Sequence, residues 1–349
     1  MTAALLVALG YGQWRLGQQT TTPGPKVALV QGSIDIDMKH DPEEAEEILT
    51  QYFGLSRDAV SEHADLDLVV WPETMFRDAW LTFDPKFEPP EHVNWTVAEA
   101  ERASRQNVAK LVGPFNVPFL IGIDTWHYLP GAGGQPRMEH FNSALLTDHR
   151  GEVVGRYDKC HLVPFGEYVW FAGTFPWLYK LTPLHGGSLP GAGPVCIESR
   201  GVRYAPNICY ENTLPHFIRG QVAELRKQGQ EPQVLVNLTN DGWFWGSAEL
   251  DMHLACAVFR AIECRKPFLI AANTGFSAAI DSSGRILKQG PRRETAVLVE
   301  RVGLDERRSP YLVWGDLPAG ICLLATCGLA VIGWWDRRKI GHARPAGEG

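Results

Sequence analysis

Short apolar runs alternate along this chain with longer stretches in which apolar positions recur every three or four residues. The runs at Lys26–Gln31, Asp67–Trp71, Pro118–Asp124, Gln233–Thr239 and Phe268–Asn273 have strand length, and their apolar residues are consecutive, as in buried strands. Between them the spacing predicts helices over 41–63 (Asp41 as cap, Pro42 opening, Ile48, Leu49, Tyr52, Phe53 and Leu55 towards a core), 97–112, 214–227 and 248–265. Met138–Thr147 and Val153–Tyr157 read as a hairpin around Asp148–Gly151. Ser277–Asp281 pairs with the strand before it across Thr274-Gly275, and Thr295–Glu300 is the last strand. Thr20–Pro25 is a linker by composition. Two stretches, Phe76–Trp95 and the run from Trp170 to Leu184, are rich in aromatics and prolines and show no period. Strands alternating with amphipathic helices, plus hairpins, indicate an α/β fold with a mixed sheet sandwiched by helices, and functional groups should gather at strand ends.

The two ends depart from this pattern. Leu317 to Trp335 carries no charge over 19 residues, and as a helix would rise about 28 Å, close to the roughly 30 Å of a bilayer's hydrocarbon core. Trp334 and Trp335 stand where an interfacial belt would lie, and Arg337, Arg338 and Lys339 follow. By the positive-inside rule the tail 336–349 is cytoplasmic, which puts everything before Leu317 on the outer face. Thr2 to Trp14 is apolar but short, and Arg15 closes it; it has neither the basic start nor the small-residue cleavage site of a signal peptide. It reads as the last turns of a membrane helix ending on the same face. The resulting division is a partial membrane helix (1–16), a linker (17–25), a catalytic domain (26–305), a transmembrane helix (317–335) and a cytoplasmic tail (336–349).

Composition narrows the functions. The chain has 349 residues, 45% of them hydrophobic and 21% charged, enough to bury a large core. A net charge of −7 without a basic stripe argues against a nucleic-acid partner. Seven cysteines at irregular spacing, with no Cys-x-x-Cys pair, point neither to a disulfide framework nor to a zinc site.

The candidate chemistry lies just past three apolar strands. In Ile208-Cys209-Tyr210-Glu211 a strand ends abruptly on a cysteine and a helix begins near Thr213. N–H groups opening a helix favour a thiolate and any oxyanion beside it. Glu73 follows Asp67–Trp71 directly and suits a general base for a thiol. Lys159 follows the hairpin; beside a thiolate it would lower the cysteine pKa and hold a developing oxyanion, and Glu167 could fix its ammonium. Each has an ordinary reading alone: a small core residue for Cys209, surface or loop charges for the others.

Taken together, Val-Ala-Leu-Val-Gln-Gly (27–32), Val-Trp-Pro-Glu-Thr (70–74), Tyr-Asp-Lys-Cys-His-Leu-Val-Pro-Phe-Gly-Glu (157–167), Ile-Cys-Tyr-Glu (208–211) and Thr-Asn-Asp-Gly-Trp-Phe (239–244) occur in order. This set resembles the carbon–nitrogen hydrolase (nitrilase) superfamily, and within it the apolipoprotein N-acyltransferases. The resemblance implies an α-β-β-α sandwich on the periplasmic side of a bacterial inner membrane. It implies Glu73 as base, Lys159 as oxyanion-stabilising cation and Cys209 as nucleophile. Glu167, Tyr210 and Glu211 would be supporting pocket residues, with the Tyr210 N–H as second oxyanion donor. The implied reaction moves an acyl chain from a phospholipid donor to Cys209 as a thioester. The chain then passes to the α-amine of a diacylglyceryl-cysteine apolipoprotein acceptor. No metal or organic cofactor is implied. The aromatic stretches would either dip into lipid headgroups and guide acyl chains or fold over the core. Two departures stand out. The family carries several membrane helices before the catalytic domain, so this chain would be shortened, misassigned at its start, or partnered by a separate membrane subunit. At His40 those acyltransferases commonly have Trp, so substrate approach there would differ. The alternatives are a membrane-tethered amidase or nitrilase using the same trio, and a non-catalytic membrane-bound module.

Overall fold

The computed structural model describes residues 2–18, 20–35, 38–39, 41–131, 135–172, 174–181 and 187–342. The expectation placed on His40 lies outside them.

Two sheets lie face to face. The first is built from β1 (Thr22–Gln31), β2 (Leu68–Val70), β3 (Phe76–Phe83), β4 (Phe119–Leu129), β5 (Arg137–Thr147), β6 (Val153–Asp158) and β13 (Ala296–Leu304), in the order β13-β1-β2-β4-β5-β6, with β3 also pairing with β4. The second contains β7 (Ile197–Ser199), β8 (Val202–Ile208), β9 (Val234–Thr239), β10 (Phe268–Ala272), β11 (Ala278–Ile280) and β12 (Ile286–Gln289), in the order β12-β11-β10-β9-β8-β7. Helices α2 (Ala45–Glu62) and α3 (Val97–Val112) cover the first sheet. Helices α4 (Pro215–Lys227) and α5 (Glu249–Cys264) cover the second. Helix α1 (Thr2–Gly17) precedes the sandwich, and α6 (Pro310–Trp314) and α7 (Leu317–His342) follow it.

The consecutive apolar residues of the central strands are explained by this layering. In β1, Val27 and Leu29 enter the core between the sheets, while Ala28 and Val30 face the layer under α2 and α3. In β9, Val234, Val236 and Leu238 face inward and Leu235 faces α4 and α5. A strand with two dry faces needs no polar alternation. The helices are apolar on one stripe only: Ile218, Val222 and Leu225 are buried in α4, and Leu250, His253, Leu254, Ala257, Ala261 and Cys264 in α5. Two buried members of α5 are polar, His253 and Arg260.

Several elements differ from expectation at the margins. β1 begins at Thr22, inside the run read as linker, because Thr22 and Pro23 pair with Leu304 and Gly303 of β13. β3 arises inside the periodless stretch Phe76–Trp95, where Trp80 to Phe83 pair in parallel with Thr125 to Tyr128. The rest of that stretch folds back on it: Phe83 stacks on Tyr128 at 5.2 Å, with Phe87 and Trp95 against Phe83. The second aromatic stretch behaves oppositely. Trp170, Phe171, Phe175, Trp177 and Leu181 are exposed, Phe171 at 75%.

Helix α7 runs past the expected Trp335. Leu317–Arg338 is apolar and long enough to cross a membrane, with none of it buried against the body. Helix α1 is likewise exposed along most of its length and is tied down at its end, where Arg15 donates to the Arg308 carbonyl at 2.9 Å and Arg307 returns a bond to the Arg15 carbonyl at 3.1 Å.

Candidate active site

Four strand ends meet at one point. Glu73 follows β2 and Lys159 follows β6. Cys209 follows β8, and Asn240 follows β9. The side chains of Glu73 and Lys159 are buried, Lys159 at 1% exposure. The Lys159 ammonium donates to Glu167 Oε1 at 2.9 Å and lies 3.5 Å from Glu73 Oε1. Burial works against a charged Lys159, but the carboxylates of Glu73 and Glu167 outweigh it and hold its pKa above the usual lysine value. The ammonium therefore keeps its proton.

Glu73 is held on both oxygens. Asn142 Nδ2 donates to Oε1 at 2.7 Å, and the Asn240 N–H donates to Oε2 at 2.9 Å. Asn142 also reaches Glu167 Oε1 at 3.3 Å, so one amide spaces the two carboxylates that share Lys159. Glu167 Oε2 accepts from the Val163 N–H at 2.7 Å, which closes the 163–167 turn onto the lysine.

Cys209 occupies the left-handed region at φ 51°, a conformation that costs a non-glycine residue about 1–3 kcal/mol and persists only where the surroundings impose it. A single tight turn, Cys209–Thr213, separates β8 from Pro215 at the start of α4, so the thiol stands at a corner as expected. Burial, and then the Glu73 carboxylate, push the Cys209 thiol above its usual pKa, against the pull of Lys159 and the Thr239 hydroxyl. It rests as a thiol. Nucleophilic use of it requires a base, and Glu73 is the carboxylate beside it.

The supporting residues divide. Glu167 grips Lys159, and Tyr210 is 38% exposed at the rim of a cavity of about 590 Å³ that Cys160, His161, Tyr168, Leu189 and His216 also line. Glu211 is fully buried. Its carboxylate accepts from the Tyr157 hydroxyl (2.8 Å), the Cys160 and His161 N–H groups (2.7 and 2.9 Å) and the Ile208 N–H (2.7 Å). That clasp ties the Lys159 loop to the Cys209 turn across the two sheets. Burial pushes Glu211 up to about 7 against these donors.

Other members of the site were not visible in the sequence. Asn142 is a polar residue in a strand with no local signal. Lys39 is a second buried amine near Glu73; it donates to the Thr74 hydroxyl, and burial lowers its pKa. Gly122 of β4 lets the Glu73 loop approach: a Cβ there would lie 2.3 Å from the Pro72 carbonyl oxygen and 2.6 Å from Glu73 Cα. These are backbone atoms that cannot swing aside. Gly122→Ala is therefore expected to lower the unfolding free energy by about 1–3 kcal/mol, the range for overpacking, measured by urea denaturation. An unchanged midpoint would mean that the loop absorbs the methyl group.

The chain is 35% identical over 338 residues to the apolipoprotein N-acyltransferase of Geobacter metallireducens, covering 97% of this chain and 59% of that protein. It is 28% identical over 360 residues to the apolipoprotein N-acyltransferase of Rhodopirellula baltica, covering 96% and 63%. It thus spans roughly three fifths of the length of these curated relatives. In fold it is similar to Saccharomyces cerevisiae Nit3, a member of branch 10 of the nitrilase superfamily, with a TM-score of 0.55 at 18% identity over 83% of this chain and 93% of that one. Residues 26–309, which hold both sheets but for the first four residues of β1, their covering helices and the four strand ends that meet at Cys209, match the carbon-nitrogen hydrolase family, and the chain belongs to it.

Proposed function

We propose that this chain carries the catalytic part of an apolipoprotein N-acyltransferase, with Glu73, Lys159 and Cys209 as its catalytic residues. The observation that carries the reading is the convergence of a base, a fixed cation and a strained cysteine at adjoining strand ends, beside an exposed aromatic segment. The names of the curated relatives support the acyl-transfer branch over a simple amidase.

In the first half-reaction Glu73 takes the Cys209 proton as the sulfur attacks an ester carbonyl of a phospholipid. The oxyanion faces the Lys159 ammonium and the Tyr210 N–H. Its collapse expels the lysophospholipid oxygen, which takes the proton back from Glu73 and leaves a thioester on Cys209. In the second, the α-amine of a diacylglyceryl-cysteine attacks the thioester and Glu73 accepts the amine proton; Cys209 departs as an amide forms, and takes that proton back from Glu73 to return to the thiol. Exposed Trp170, Phe171, Phe175 and Trp177 suit contact with headgroups and acyl chains. In this reading 26–305 is a periplasmic catalytic domain, 1–16 is part of a membrane helix, and 317–335 crosses the inner membrane towards a cytoplasmic tail at 336–349.

The test is intact mass of the detergent-solubilised chain after incubation with phospholipid. A fatty-acyl increment on the wild type, released by neutral hydroxylamine and absent from Cys209→Ser, is the expected result. Turnover of small amides with no acyl adduct, here or in a fusion carrying the remaining part of a curated relative, would replace this reading with an amidase.

A further inference from the structure

Behind the Cys209 turn lies a buried pair that the steps above leave unused. His253, on the buried stripe of α5, is 5% exposed, and Asp241 is 2% exposed. His253 Nε2 is 3.1 Å from the Cys209 carbonyl oxygen, and Nδ1 is 3.2 Å from Asp241 Oδ2. Asp241 Oδ1 accepts from the Thr239 hydroxyl at 2.8 Å. A carbonyl oxygen and an ionised carboxylate can only accept, so both ring nitrogens must donate. Doubly protonated, His253 is an imidazolium that satisfies both acceptors at once. Burial opposes that charge, but Asp241, the Cys209 carbonyl and Glu249 outweigh it and raise the histidine pKa above its ordinary value.

The same carbonyl oxygen takes a second bond from Asn237 Nδ2 at 3.2 Å, so donors from α5 and β9 clamp it from behind. A trans peptide is planar, with its C=O and N–H pointing in opposite directions. Fixing the Cys209 carbonyl therefore also fixes the direction of the Tyr210 N–H. The clamp acts where holding is needed, because the peptide follows a residue at φ 51°. A cation on the carbonyl also polarises the amide and strengthens its N–H as a donor.

We infer that His253, with Asp241 behind it, is a positioning residue that aims and polarises the Tyr210 N–H towards the oxyanion formed at Cys209. This rests on Cys209 being the nucleophile.

Two reactions of the full chain in detergent separate the possibilities. The burst of p-nitrophenol from p-nitrophenyl butyrate reports acylation through an oxyanion. Alkylation of Cys209 by iodoacetamide needs only the thiolate. In His253→Gln, whose amide can still donate but carries no charge, acylation should slow about 10- to 100-fold, a fraction of the loss of a whole oxyanion donor. KM should stay within about twofold and alkylation within about threefold. Asp241→Asn should reproduce that deficit, and the double variant should be no worse than either single one. If His253→Ala folds, it should fall below His253→Gln; if it does not, His253→Gln and Asp241→Asn carry the test. Acylation unchanged in His253→Gln, or acylation and alkylation falling together, would overturn the inference. A burst that persists in Cys209→Ala would remove the nucleophile reading itself, whereas one lost there and intact in His253→Gln removes only the role of His253.

Discussion

Lys159→Met is expected to slow acyl-enzyme formation about 10²- to 10³-fold, the effect of removing one oxyanion donor, and to destabilise the fold by about 3–5 kcal/mol. The second effect follows from what is left behind. The ammonium lies between Glu73 and Glu167 at 1% exposure, and Asn142 bridges the same two carboxylates. Without the cation they face each other with only the Asn142 amide between them. Breaking a buried ion pair from one side costs far more than the pair contributes, because the remaining charge is uncompensated. Adding Glu167→Gln to Lys159→Met should therefore recover much of the stability in urea unfolding while leaving the ester burst slow. A burst within tenfold of wild type in Lys159→Met would eliminate the lysine as the oxyanion cation.

Glu73→Gln should separate two reactions of the same sulfur by moving them in opposite directions. Acylation should fall by about 10²- to 10⁴-fold, the span of a lost general base. Alkylation by iodoacetamide should rise. The Glu73 carboxylate is one of the groups that push the Cys209 thiol above its usual pKa. Its removal makes the thiol more acidic, so more thiolate is present at a given pH. That thiolate suffices for iodoacetamide, but cleavage of a phospholipid ester also needs a proton returned to the departing alkoxide. The amide keeps one acceptor and turns a donor towards either Asn240 N–H or Asn142 Nδ2, at a cost of about 1–3 kcal/mol. Alkylation and acylation falling together would reduce Glu73 to a structural brace.

The parts of the molecule legible in the sequence are those whose environment is symmetric or whose signal is local. Val27–Val30 and Val234–Leu238 announce themselves because both faces are dry. Glu73, Lys159 and Cys209 are visible because each directly follows such a strand, and ordered motifs tie them together. β3, β7 and β12 were not legible: they lie at the margins of their sheets, and their pairing partners define them rather than any period of their own. The supporting residues were hidden for a different reason. Asn142 meets Glu73 across 69 positions and His253 meets the Cys209 carbonyl across 44. No local pattern distinguishes an asparagine in a strand or a histidine on a helix stripe until the fold brings those distant groups together.

The position of β1 has a kinetic side. It lies between β2, made soon after it, and β13, made almost last, with Val27 opposite Glu300. During synthesis the first strand can pair early on one edge only, and its other edge stays open until nearly the whole body exists. Closing so long a loop is slow, because the entropy of bringing the ends together is lost before the contacts repay it. The sheet is thus completed just before α7 is made. Folding of the body and synthesis of the long apolar stretch Leu317–Arg338 are close in time, and an open β1 edge is the surface through which a delayed chain would aggregate.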